Sequence, residues 1–216
     1  MIAAPGKNAN EDTVHALLKI SRTIDAITEW IGHKVYWLTL VAVLISAGNA
    51  MIRYSFNISS NAWLELQWNL FSAVFLLCGG YTLLHSQHVR IDVVYSRFSR
   101  RVQLWIDILG TLFFLLPMSI LIMILSWPVF VNAYVGQEVS SNAGGLIVWP
   151  ARLLLPVGFF LLTVQGISEL VKRIAVLRGL IPDPAADDQG PTPEEELARA
   201  IADAEAKRDG DAKLAH

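Results

Sequence analysis

Gln87-His88-Val89-Arg90-Ile91-Asp92-Val93-Val94-Tyr95-Ser96-Arg97-Phe98-Ser99-Arg100-Arg101 places four arginines within twelve positions, between two long apolar runs. The connectors on either side carry almost none. Short loops rich in lysine and arginine are held on the cytoplasmic face of a membrane. This stretch therefore reads as an inner connector between two spans, and the rest of the chain is placed relative to it.

Composition agrees that lipid is the solvent for most of the chain. Of 216 residues 54% are hydrophobic and only 17% charged, which is outside the range of soluble domains. Residues 180–216 hold ten acidic and four basic side chains, so the preceding 179 carry nine acidic and thirteen basic. The net charge of -2 thus conceals a cationic body and an acidic tail. Cys78 is the one cysteine, which excludes a disulfide framework, a thiol pair or a thiolate metal site and leaves a structural thiol. The first thirty residues are polar and show no leader with a small-residue cleavage pattern, so the first span is expected to stay in the mature protein.

The sequence predicts an all-α integral membrane protein with four transmembrane helices, spanning about 35–53, 63–85, 102–131 and 150–170 within a membrane domain of residues 32–178. Residues 1–31 precede it. Val14, Leu17, Leu18, Ile24, Ile27 and Ile31 share one face there, while Lys19, Arg22, Asp25 and Glu29 take the others, the pattern of an amphipathic helix lying on the membrane surface or docked on a partner. Four is an even number of spans, so both termini fall on the side of the arginine-rich connector, N-in and C-in. Arg53 and Arg152 alone edge the opposite face. Span two opens with Glu65, Asn69 and Ser72 on one helical face, beside Gln67 and Trp68; a carboxylate there is costly against hydrocarbon and should meet protein or water. Gly79-Gly80 would permit close helix approach. Ser99 is an N-cap candidate for span three, and Pro117 and Pro128 invite bends in it. The connector at 132–149 has Glu138 as its single charge and a turn at Asn142-Ala143-Gly144-Gly145. Span four carries Arg152 at its mouth, Gln165 in its second half and Glu169 at its exit. Residues 179–216 read as an acidic solvated tail, with one marginal helix capped by Thr192-Pro193-Glu194-Glu195.

No constellation for catalysis emerges. The histidines, His15, His33, His85, His88 and His216, are interfacial or terminal, although His33 and His85 fall near the same surface. Neither HExxH, GxxxxGK[ST] nor CxxC is present, and no two carboxylates share a helix face within the bilayer. Nor do the spans form two related halves with broken helices around a midplane site, as self-contained transporters tend to. No cofactor, metal or nucleic-acid partner is expected. The sequence describes a chain that holds or positions something larger, with a membrane anchor for a quinone- or haem-linked redox complex as the alternative class.

Several motifs in order carry a resemblance. Asn61-Ala62-Trp63-Leu64-Glu65-Leu66-Gln67-Trp68, Gly80-Tyr81-Thr82-Leu83, His88-Val89-Arg90-Ile91-Asp92, Trp105-Ile106-Asp107-Ile108-Leu109-Gly110-Thr111, Ser126-Trp127-Pro128, Trp149-Pro150 and Gln165-Gly166-Ile167-Ser168-Glu169-Leu170 resemble the small four-helix membrane subunit, DctQ-type, of tripartite ATP-independent periplasmic (TRAP) transporters. Ser99-Arg100-Arg101 departs from the Ser-Pro-Arg of that pattern. The resemblance implies a non-catalytic subunit in the bacterial inner membrane. It would support a large elevator-type membrane subunit and help dock a periplasmic solute-binding protein during ion-coupled uptake of an organic acid or similar solute. It also makes Glu65, Gln67, Trp68, Asn69, Glu138, Arg152, Gln165 and Glu169 candidates for subunit contact or docking. Arg90 and Asp92 would tie the inner connector to lipid headgroups or to the large subunit.

Overall fold

The structure, a computed structural model, describes residues 9–57, 60–85 and 98–182, with side chains from Ala16 onward. It falls into two units, Met1–Leu177 and Arg178–His216. Of the second, residues 178–182 are described, with Gly179 at φ 71°, a left-handed backbone that glycine adopts without a Cβ penalty.

Among the described residues the regular structure of the first unit is helical, apart from one isolated antiparallel bridge, Val139 to Ile147. Helix α1 runs Ala9–Phe56, α2 Asn61–Leu84, α3 Arg100–Gly110, α4 Leu116–Val135 and α5 Trp149–Leu177, with a π-helical turn, Thr111–Leu115, joining α3 to α4. Among the described residues four helical segments are long and apolar enough to cross a membrane: Ala16–Phe56, Asn61–Leu84, Arg100–Val135 and Trp149–Leu177. At 1.5 Å per residue the 41 residues of the first reach about 60 Å, twice the hydrocarbon thickness. Helix α1 therefore continues without a break through Gly32, and the N-terminal amphipathic stretch and span one are a single rod.

Helix α5 is the hub, touching every other helix, while α1 and α2 also pack on each other. What these contacts bury reverses the pattern of a soluble bundle. Ser119, Thr163, Gln165, Ser168 and Ala175 are inside, whereas Phe71, Phe75 and Phe114 are 70–76% exposed. Lipid tails are as apolar as leucine, so hydrophobicity gives helices no reason to associate; small residues and interhelical hydrogen bonds do. Gly158 shows the consequence, since a Cβ there would lie 2.8 Å from the Cβ of Leu76. Of the Gly79-Gly80 pair, Gly80 faces Thr28 and Gln165, and Gly79 faces open space.

Pro117 explains the π turn. A proline lacks an N–H and its ring collides with the carbonyl four residues back, here that of Phe113. The chain widens just before it, and the Leu116 N–H reaches the Thr111 carbonyl five positions earlier. Pro128 and Pro156 sit inside α4 and α5, which continue through them. Ser99 occupies the N-cap position of α3 in extended backbone, but its hydroxyl makes no capping bond.

Candidate functional site

Three groups of polar side chains are organised by this bundle, two of them at opposite ends. At the α4–α5 end, Glu65 in the first turns of α2 is 8% exposed and holds the connector at 136–148. Its Oε1 accepts from the Ser140 hydroxyl and, at 2.7 Å, from Asn142 Nδ2; Oε2 accepts from the Leu146 N–H at 2.7 Å. The connector is itself a short hairpin, with the Ser140 N–H bonded to the Leu146 carbonyl at 2.9 Å and the Val148 N–H to the Glu138 carbonyl at 3.0 Å. Gly144, at φ 70°, supplies the left-handed turn that a Cβ would disfavour. A carboxylate accepting several such bonds inside a membrane end is satisfied as water would satisfy it. Arg152 pairs with Glu138 of the connector at 2.6 Å, both partly exposed, and Tyr134 meets Trp149 edge-on at 5.4 Å between ring centres.

At the other end α1 and α5 are joined by a polar ladder. Thr28 Oγ1 donates to Gln165 Oε1 at 2.7 Å, and Gln165 Nε2 donates to Asp25 Oδ1 at 2.9 Å. Ser168 donates to Asp25 Oδ1 at 3.0 Å, and the hydroxyls of Ser21 and Ser168 lie 2.6 Å apart. Lys172 Nζ closes the ladder on Asp25 Oδ2 at 3.0 Å and Glu169 Oε1 at 2.5 Å. Gln165 is fully buried and Glu169 is 7% exposed, so their polar atoms are taken up between α1 and α5 rather than on an outer face. Beside the ladder, Arg173 pairs with Asp107 at 2.7 Å.

The ladder corrects one reading of the sequence. Asp25 lies on the packed face of α1, not with the solvated charges, because hydroxyls and a carboxylate at Ser21, Asp25 and Thr28 match Gln165, Ser168 and Lys172 at the same three- and four-residue spacing. Asp25 and Glu169 thereby meet through Lys172, although they belong to different helices. His33 and His85 do approach a common point: His85 Nε2 is 2.9 Å from Glu29 Oε2, and His33 lies 3.5 Å from Glu29 Oε1. Tyr81 stands between them, 4.4 Å from His85 and 6.3 Å from His33 by ring centres. Among the described residues no group of three or more histidines, cysteines and carboxylates is placed to hold a metal.

The third group lies along α1 and α2, where Thr39, Ser46, Gln67 and Ser72 line a groove of about 450 Å³ together with Trp68. Trp68 is 61% exposed and Asn69 is half-buried. Arg90 and Asp92 lie outside the described residues.

Four lipid-compatible helices, with their polar groups directed at one another or into a groove, define a multi-pass membrane protein. Compared with family models, residues 23–176 match "Tripartite ATP-independent periplasmic transporters, DctQ component". The chain belongs to this family; it is a small, non-catalytic permease component of the TRAP type, and the redox-anchor alternative falls away. Comparison with curated proteins and with solved structures found no match. In the tripartite system this family works with a large membrane subunit and a solute-binding protein.

Proposed function

We propose that this chain is the fixed support of a TRAP transporter in a bacterial inner membrane, with both termini and the arginine-rich connector on the cytoplasmic side. The large subunit carries an organic acid or similar solute inward by an elevator-type motion coupled to an ion gradient. The small subunit anchors the static part of that machine. The Glu65-braced connector, with Glu138 and Arg152 on its outer side, is offered to the periplasmic binding protein. Arg90 and Asp92 tie the inner connector to headgroups or to the large subunit.

The observation that carries this reading is the groove between α1 and α2. Thr39, Ser46, Gln67 and Ser72 line it within segments that cross the bilayer, where lipid offers no hydrogen-bonding partner. A helix of the large subunit that presents its own small and polar residues satisfies them, and Trp68 and Asn69 extend the same contact. Gln165 and Glu169 act one layer back, by fixing α1 on α5 so that the groove keeps its shape.

Co-expression with the large subunit tests the assignment. Gln67→Trp fills the groove and should lower recovery of the complex by about ten-fold, the effect of losing one strong interface contact, while the chain alone melts as the wild type does. Undiminished recovery and uptake would remove the groove from the interface.

A further inference from the structure

The end of the bundle that carries the Glu65 brace has a second edge, formed by the last turn of α1. Asn61 Nδ2, at the start of α2, donates to the Ala143 carbonyl at 3.2 Å, which ties the first turn of α2 to the tip of the connector hairpin. The α1 turn lies just ahead of it in the chain. Asn57 closes that turn, its N–H on the Arg53 carbonyl at 3.1 Å and its backbone left-handed at φ 55°, a conformation asparagine tolerates. Little of the turn is packed: Tyr54 is 95% exposed and Phe56 70%. The charged residues at this end are Arg53, Glu65, Glu138 and Arg152, and Ile58 and Ser59, which lie outside the described residues, are neutral. Glu65 is taken up by the hairpin and Glu138 by Arg152. Arg53 is left, an exposed guanidinium with neither a hydrogen bond nor an ion pair among the described residues.

We infer that Arg53 and Tyr54 are the electrostatic docking contact for the solute-binding protein and take an acidic surface on that partner. Given the orientation proposed above, on which this rests, the edge faces the periplasm. Lysine and arginine are scarce in short loops on that side, so an unpaired arginine there calls for a reason. The other exposed charges at this end, Glu138 and Arg152, cancel each other, which leaves Arg53 to set the sign of what can approach. Its five N–H donors in a planar fork match a carboxylate. An arginine beside an exposed tyrosine also supplies the two residue types that most often carry binding energy at protein interfaces. The family works with a solute-binding protein, and a partner that delivers solute has to arrive quickly and leave again. Charges at the rim of a contact act mainly on the rate of encounter, which suits such a partner.

The test uses the complex of this chain with the large subunit in phosphatidylcholine nanodiscs, over which the solute-loaded binding protein is passed. Association with the wild type should slow as salt is raised. Arg53→Glu should slow it about ten-fold at low salt and flatten the salt dependence, while Arg53→Lys keeps both the rate and the dependence. A photo-crosslinker at Ser55 should capture the binding protein. Association as fast with Arg53→Glu as with the wild type, equal slowing by Arg53→Lys, or capture of lipid, the large subunit or a second copy in place of the binding protein would overturn the assignment. Binding that Glu65→Leu weakens and Arg53→Glu leaves alone would strike out Arg53 and keep the connector as the docking surface. No binding to the wild-type complex would strike out both.

Discussion

Glu65 is the residue on which the α4–α5 connector depends. Its two oxygens take a hydroxyl, an amide side chain and a backbone N–H from residues 75 to 81 positions away. Because every one of those partners is a donor, Glu65→Gln would turn an acceptor into a second donor and should be nearly as disruptive as Glu65→Leu. Hydrogen exchange of residues 138–147 should quicken by roughly an order of magnitude in either variant, as expected on losing charge-assisted bonds; unchanged protection would mean that the hairpin holds itself. Gly32 gives a second test, through packing. A Cβ there would fall 2.2 Å from the ring of Tyr81, whereas at Gly48 it would meet nothing within 4 Å. Gly32→Ala should therefore cost about 1–3 kcal/mol of stability, read as a lower melting temperature in detergent, and Gly48→Ala should leave it level or raised. The importance of Glu65 was legible in the sequence, since a carboxylate opening an apolar run needs an explanation. Its partners were not, because they come from a hairpin whose register is a tertiary property.

At the scale of elements, α1 is the least covered helix and α5 the most, so the ladder between them decides whether the N-terminal half of α1 stays attached. Asp25 accepts from Gln165, Ser168 and Lys172. At about 0.6 kcal/mol for each interhelical contact, Asp25→Ala should cost on the order of 2 kcal/mol. It should also open residues 16–31 to protease before the rest of the bundle loosens. Simultaneous loss of all helices would contradict this local role. Number and type of the spans followed from hydrophobic runs, and an irregularity in span three from Pro117, which the structure shows as a π turn. The ladder was hidden because helical periodicity sorts side chains by polarity, and in lipid the polar face is the one that packs. With that inversion in mind, the matching spacings of Ser21, Asp25 and Thr28 and of Gln165, Ser168 and Lys172 identify two facing surfaces.

For the whole molecule, the proposed orientation has the Glu65-braced connector outside and the arginine-rich connector inside. In a Cys78→Ala background, Ala143→Cys should react with a membrane-impermeant maleimide on intact cells, and Phe98→Cys only after lysis; the reverse pattern would invert the topology. The ladder and the brace hold this chain's own helices and connector in place, while the groove on α1 and α2 is the surface proposed for the large subunit. On the proposed function such a chain serves transport by completing a larger subunit. Uptake of labelled organic acids into proteoliposomes under an ion gradient is the most direct measurement of that claim. Vesicles containing this chain alone should accumulate nothing, and adding the large subunit and the binding protein should start uptake. Gradient-driven accumulation by this chain alone would contradict it.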